Sequence, residues 1–189
     1  VYEGLVRTDR NLKIQPAVAL TWGLIDPLTW EFKLRPGAIF HNGKPVTAQD
    51  VAESVDRALH FSGSQLTNLL NTIDRLEVVN ASTIHIKTKK PDPLLLNKLA
   101  VTFIFPVGNG LKPFPTEKMN EQPVGTGPYA FVSGDKDSIV LKRFDPYYGT
   151  KPYFPEVILK TILDKRDRLM ALRGGKIHML ADVPPAAVA

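Results

Sequence analysis

A mixed α+β fold of the α/β class follows from three observations on the first third of this chain. Trp30, Phe32 and Leu34 alternate with Glu31, Lys33 and Arg35, the period-two pattern of a half-buried strand. Pro36-Gly37 and Asn42-Gly43 each supply a reversal, the first with the fixed and then permissive φ of a type II turn. Thr47-Ala48-Gln49-Asp50 then sets an N-cap hydroxyl and an acid three residues on, ahead of Val51, Val55, Ala58 and Leu59 at helical spacing.

The remaining elements follow in order. Val1 to about Arg10 reads as a strand closed by a turn at Arg10-Asn11, and Ala17 to Ile25 as another, separated from Thr29–Leu34 by Asp26-Pro27. Thr47 to about His60 is the capped helix. Leu66 to Ile73 has apolar residues on one side, as a short helical turn would. Arg75–Val79 and Thr83–Thr88 form a hairpin through Asn80-Ala81-Ser82, with Val79, Ile84 and Ile86 expected on its buried face. Pro91-Asp92-Pro93 breaks the chain before a helix over Leu94–Leu99. Asn109 to Pro123 reads as an exposed loop. Beyond Gly125-Thr126-Gly127-Pro128, Tyr129–Ser133 and Ser138–Arg143 pair across Gly134-Asp135-Lys136-Asp137. Val157–Leu163 is a strand, Asp167–Arg173 a helix stopped by a left-handed Gly174, and Ile177–Leu180 the next strand of a βαβ-like step.

Composition narrows the function classes. At 189 residues, 43% hydrophobic and 23% charged, the chain has ample core for a globular fold. No apolar run approaches the ~20 residues of a membrane span. Cysteine is absent, which excludes disulfides, thiolate zinc sites and a cysteine nucleophile. The net charge of +5 is dispersed: the densest runs, Lys87 to Lys90 and Lys165 to Arg168, are short and bounded by acids or turns. They read as solvated surface rather than a nucleic-acid face.

Candidate chemistry is sparse. His41, His60, His85 and His178 show no i, i+3 or i, i+4 pairing, so no metal-ligand motif is present. Gly125-Thr126-Gly127 is followed by Pro128-Tyr129 rather than Lys-Ser/Thr, and reads as a structural turn instead of a phosphate cradle. No Ser lies in G-x-S-x-G, and no carboxylate pair stands out as an acid and base.

The stretch Asp26-Pro27-Leu28-Thr29-Trp30-Glu31-Phe32-Lys33-Leu34-Arg35, Gly37-Ala38-Ile39-Phe40-His41-Asn42-Gly43 and Thr47-Ala48-Gln49-Asp50-Val51 resembles the extracellular solute-binding proteins of family 5, the peptide- and nickel-binding components of ABC importers. Val1-Tyr2-Glu3-Gly4-Leu5-Val6, Gly125-Thr126-Gly127-Pro128-Tyr129 and Phe144-Asp145-Pro146-Tyr147-Tyr148-Gly149 with Lys151-Pro152 continue the resemblance. Leu172-Arg173-Gly174-Gly175-Lys176-Ile177-His178 departs from it, since Lys176 and His178 stand where members usually have acids.

The resemblance implies most of one lobe of a two-lobed protein, a periplasmic-binding-protein type II-like lobe with an inserted α+β subdomain. Residues 11–121 would form the insertion, 1–10 and 122–189 the lobe's mixed sheet, and the second lobe would lie outside the chain. It implies capture of an oligopeptide or dipeptide rather than catalysis, with no cofactor or metal. It also implies delivery to an ABC membrane permease, a monomeric state, no nucleic-acid partner, and a periplasmic or cell-surface location reached through a precursor signal peptide. Alternatives left open are an effector-sensing domain of a cytoplasmic transcriptional regulator and a binder of nickel complexes, opines or oligosaccharides. The ligand-binding residues implied are Tyr2, Glu3, Gly4 and Leu5, where a strand edge would pair with a peptide backbone, together with Thr102 and Phe103 in the cleft wall. The competing reading has Tyr2 and Leu5 packing the sheet, Glu3 solvated and Phe103 in the subdomain core. On the binding reading, Glu3→Ala weakens ligand binding at little cost in stability.

Overall fold

The computed structural model describes residues 1–61, 65–106 and 122–183. Its first part is a four-stranded antiparallel sheet with one face covered. In sheet order these strands are β3 (Ala19–Asp26), β4 (Thr29–Leu34), β6 (Thr83–Thr88) and β5 (Ile73–Asn80). The alternation in Thr29–Leu34 sends Phe32 and Leu34 into the core, and Phe32 lies opposite Ile84 of β6. Helix α1 (Ala48–His60) buries Val51, Val55 and Ala58 against this face. Its start is the capping box read from sequence: the Asp50 N–H donates to Thr47 Oγ1 and the Thr47 N–H donates to Asp50 Oδ2. Burying a side chain such as Phe32 contributes roughly 1.5–3 kcal/mol.

The turns behave as their residues dictate. Gly37 has φ 74° and the Ala38 N–H donates to the Arg35 carbonyl, closing the type II turn. Gly43, at φ 81°, completes the second reversal, where the Phe40 N–H donates to the Lys44 carbonyl.

A second small sheet joins β1 (Val6–Thr8) to β2 (Ile14–Pro16), with the connecting turn held by Asp9. The boundary expected at residue 11 falls inside this hairpin. Leu5 and Val6 are buried in the same core as Phe32, Val51 and Ile104, so the N-terminal segment packs with residues 14–104. Short helices α2 (Leu66–Leu69) and α3 (Leu95–Ala100) complete this part, α3 burying Leu95 and Leu99.

The second part is a three-stranded antiparallel meander of β7 (Tyr129–Gly134), β8 (Ser138–Arg143) and β9 (Glu156–Lys160), followed by α4 (Lys165–Arg173).

Several expectations need correction. Every described strand pair is antiparallel, so the βαβ-like step expected over Val157 to Leu180 is not seen among the described residues. Ile177–Leu180 forms no strand, because no described strand lies alongside to complete its hydrogen bonds. The helix stop is one residue later than expected. Gly174 is the C-cap at φ −84°, and Gly175 takes the left-handed conformation at φ 68°. The Gly175 N–H donates to the Leu172 carbonyl and the Lys176 N–H to that of Ala171, a Schellman closure. Val79 is 48% exposed, and it falls at a register shift: Val78 pairs with Ile84 and Asn80 with Thr83, which leaves Val79 without a partner on β6. The loop expected at Asn109 to Pro123 lies, up to residue 121, outside the described residues.

Candidate functional site

Residues 1–5 form a seam linking the two parts of the fold. The Gly127 N–H donates to the Val1 carbonyl, the Ile104 N–H to that of Glu3, and the Ala19 N–H to that of Leu5. Gly4 pairs with Phe103 as an antiparallel bridge. Gly4 does permit a close approach, but of α3: a Cβ there would stand 2.5 Å from the Leu99 carbonyl oxygen. The Gly125-Thr126-Gly127 turn likewise fits around a backbone carbonyl. Side chains at Gly125 or Gly127 would come within 2.4 or 2.6 Å of the Val1 oxygen.

That turn is also gripped by His41. The Gly125 N–H donates to Nδ1, which makes Nδ1 the acceptor and places the ring proton on Nε2, 2.9 Å from the Gly127 carbonyl. Burial holds His41 below the ordinary histidine range, opposed by the Gly127 contact. Beside it, an open groove of about 500 Å³ runs between His41, Asn42, Val124, Phe131 and Ser133.

Side chains of the seam leave it in opposite directions. Tyr2 stacks near-parallel on Phe103, with centroids 6.0 Å apart and planes at 21°, and tilts against Phe105 at 4.9 Å. The Arg57 guanidinium lies over the other side of this cluster, 4.4 Å from the Phe105 centroid. Burial raises the Tyr2 phenol above its usual range, partly offset by Arg57.

Glu3 points away, toward the C-terminal part. The Tyr147 hydroxyl donates to Oε1 at 2.7 Å and the Tyr148 hydroxyl to Oε2 at 2.5 Å. Burial and the adjacent carboxylate push both phenols far above the usual tyrosine range, so they remain donors. Arg35 lies 4.8 Å from the Tyr148 centroid, and its Nε donates to the Ala17 carbonyl.

The six implied residues thus separate. Tyr2, Gly4 and Phe103 share one side of the seam, where Tyr2 and Phe103 present aromatic surface. Glu3 is on the opposite side and is not the solvated carboxylate of the competing reading. Leu5 is fully buried in the core, and the Thr102 hydroxyl donates to the Lys98 carbonyl at the end of α3. A ligand role for Leu5 and Thr102 narrows to their backbones. Sequence reasoning gave no role to Arg35, Arg57, Tyr147 or Tyr148, and set Phe105 beside Phe103 either in the cleft wall or in the subdomain core. The Phe144-Asp145-Pro146-Tyr147-Tyr148-Gly149 run was a signal for the last two, but nothing local says which carboxylate receives their hydroxyls.

Comparison with known proteins adds the following. Residues 13–189 match the family described as bacterial extracellular solute-binding proteins, family 5 Middle. The HTH-type transcriptional regulator SgrR of Pectobacterium atrosepticum is 27% identical over 173 residues, 89% of this chain and 29% of that protein. The glutathione-binding protein GsiB of the same organism is 28% identical over 187 residues, 97% of this chain and 36% of its own length. Among solved structures, the binding protein AgaA from A. tumefacien R10, in complex with agropinic acid, superposes with a TM-score of 0.87 at 31% identity. That superposition covers 94% of this chain and 37% of AgaA. The chain therefore spans roughly a third of the length of the relatives it matches.

Proposed function

This chain belongs to family 5 of the bacterial extracellular solute-binding proteins, and we propose that it forms one jaw of a two-lobed clamp that captures a small peptide and delivers it to an ABC membrane permease. The observation that carries this reading is the seam of residues 1–5. It is a rigid, backbone-pinned segment with an aromatic surface on one side, set where two parts of the fold meet. Ligand would stabilise a closed form through contacts made only there. The peptide class is supported by the similarity to a glutathione-binding protein over 97% of the chain. In this reading the working location is the periplasm or cell surface.

Calorimetry on the complete protein with di- to pentapeptides tests this. One-to-one binding in the micromolar range or tighter is expected, and heat-silent titrations across the whole panel would remove the peptide-capture reading.

A second reading has its own support, because SgrR regulators are similar over much of the chain. There the same clamp would serve as an effector sensor inside the cell. The sequence preceding Val1 in the complete gene discriminates: a helix-turn-helix domain there favours the sensor, a secretory signal the transporter component.

A further inference from the structure

Four planar groups lie in contact in a single run: the Arg57 guanidinium, then the rings of Phe105, Tyr2 and Phe103. Phe103 is the most exposed of the four. Arg57, Phe105 and Tyr2 are partly buried, whereas Phe103 is 44% exposed. The guanidinium covers a face of Phe105, and of the three rings Phe103 keeps the most surface for a further planar group. That ring is also held firmly. Its backbone is bridged to Gly4, and its neighbours Thr102 and Ile104 are both buried.

We propose that Phe103, backed by Tyr2, is a stacking platform that selects ligands carrying a flat aromatic or heteroaromatic side chain. The inference rests on the peptide-capture reading and adds a substrate class to it. Two rings already fixed by packing lose little freedom when a third is added, which favours affinity through preorganisation. Flatness matters as well as size. An offset-stacked ring matches the quadrupole of Phe103 and gains attraction beyond its area, which a saturated ring of equal bulk does not.

The test measures the affinity of the complete protein for alanine tripeptides bearing a central phenylalanine, cyclohexylalanine or alanine. The phenylalanyl peptide is expected to bind about 3- to 10-fold more tightly than the cyclohexylalanyl one. Phe103→Leu is expected to abolish that difference while leaving the cyclohexylalanyl affinity in place, and Phe103→Tyr to retain it. Circular dichroism establishes that each variant is folded. Equal wild-type affinities for the two ring peptides would overturn the platform and leave peptide capture standing. A difference that survives in folded Phe103→Leu would place the selectivity elsewhere and overturn it too. Failure of all three peptides to bind would overturn this inference, and silence across the di- to pentapeptide panel would remove the reading beneath it as well.

Discussion

Glu3 shows how far a single residue's role depends on what folds against it. As an exposed acid beside a peptide it would contribute affinity, and its removal would barely touch stability. In the structure it accepts from two tyrosine hydroxyls that come from 144 and 145 residues further along the chain. Glu3→Ala strips both donors of their partner in a partly buried site. It is expected to cost about 1–2 kcal/mol, with Glu3→Gln, which keeps an acceptor, losing less. Urea denaturation measures both, and an unchanged midpoint in Glu3→Ala would show the tyrosine contacts to be incidental. Gly4 carries a sharper steric demand. Gly4→Ala places a methyl group against the Leu99 and Ala100 carbonyls, where backbone must move, and a loss of about 1–3 kcal/mol is expected in the same assay.

Helix α3 is anchored by a buried ion pair. Lys98 Nζ lies 2.6 Å from Asp92 Oδ2, Thr72 donates to the same oxygen, and the Leu94 N–H donates to Oδ1. Burial alone would raise the Asp92 carboxyl, but the hydrogen bonds from Lys98, Thr72 and Leu94 outweigh it and hold the group below its usual range. Because the folded value is depressed, this stabilisation is present above the ordinary carboxylate range and is lost as pH falls through the lower, folded value. Asp92→Ala leaves the partly buried ammonium without its counter-charge and with only the Thr72 hydroxyl to bond, at an expected cost of about 3 kcal/mol. A Met/Leu replacement of both partners is expected to be far milder, which denaturant titration of the single and double variants checks. The turn held by His41 responds in a higher pH window. Its folded value is also depressed, so its contribution is complete above about pH 6.5 and declines as pH falls. Thermal melts between pH 7 and 5 are expected to show a shallower pH slope in His41→Gln than in the wild type.

Considered as one molecule, the chain distributes its apolar surface unevenly. The sheet carrying α1 has a packed interior, whereas the β7-β8-β9 meander is apolar on both faces. Val132 and Ile158 are exposed on one side, and Ile139 and Leu159 on the other. Strands of this kind are usually covered on both sides. The 189-residue chain alone is expected to bind a hydrophobic dye, with Ile158→Lys and Leu159→Lys each lowering the signal. Dye binding unaffected by either change would locate the exposed surface elsewhere. The two parts are tied by the Glu3–tyrosine and His41–glycine contacts, so the seam's geometry depends on them.

Local chemistry was enough to write α1, β4, the Pro36-Gly37 turn and the 129–143 hairpin into the sequence. Each is dictated by neighbours within a few positions: a cap, an alternation, or a glycine that tolerates positive φ. Family resemblance was legible for the same reason, being a matter of motifs and their gaps. The outward turn of Val79, the shift from Gly174 to Gly175, and the absence of a strand at Ile177–Leu180 depended on pairing partners and hydrogen-bond register that the local pattern does not encode. The partners of Glu3 and the order Arg57–Phe105–Tyr2–Phe103 belong to tertiary structure alone. They join residues far apart in the sequence, and only packing decides which side chains meet once the core has closed.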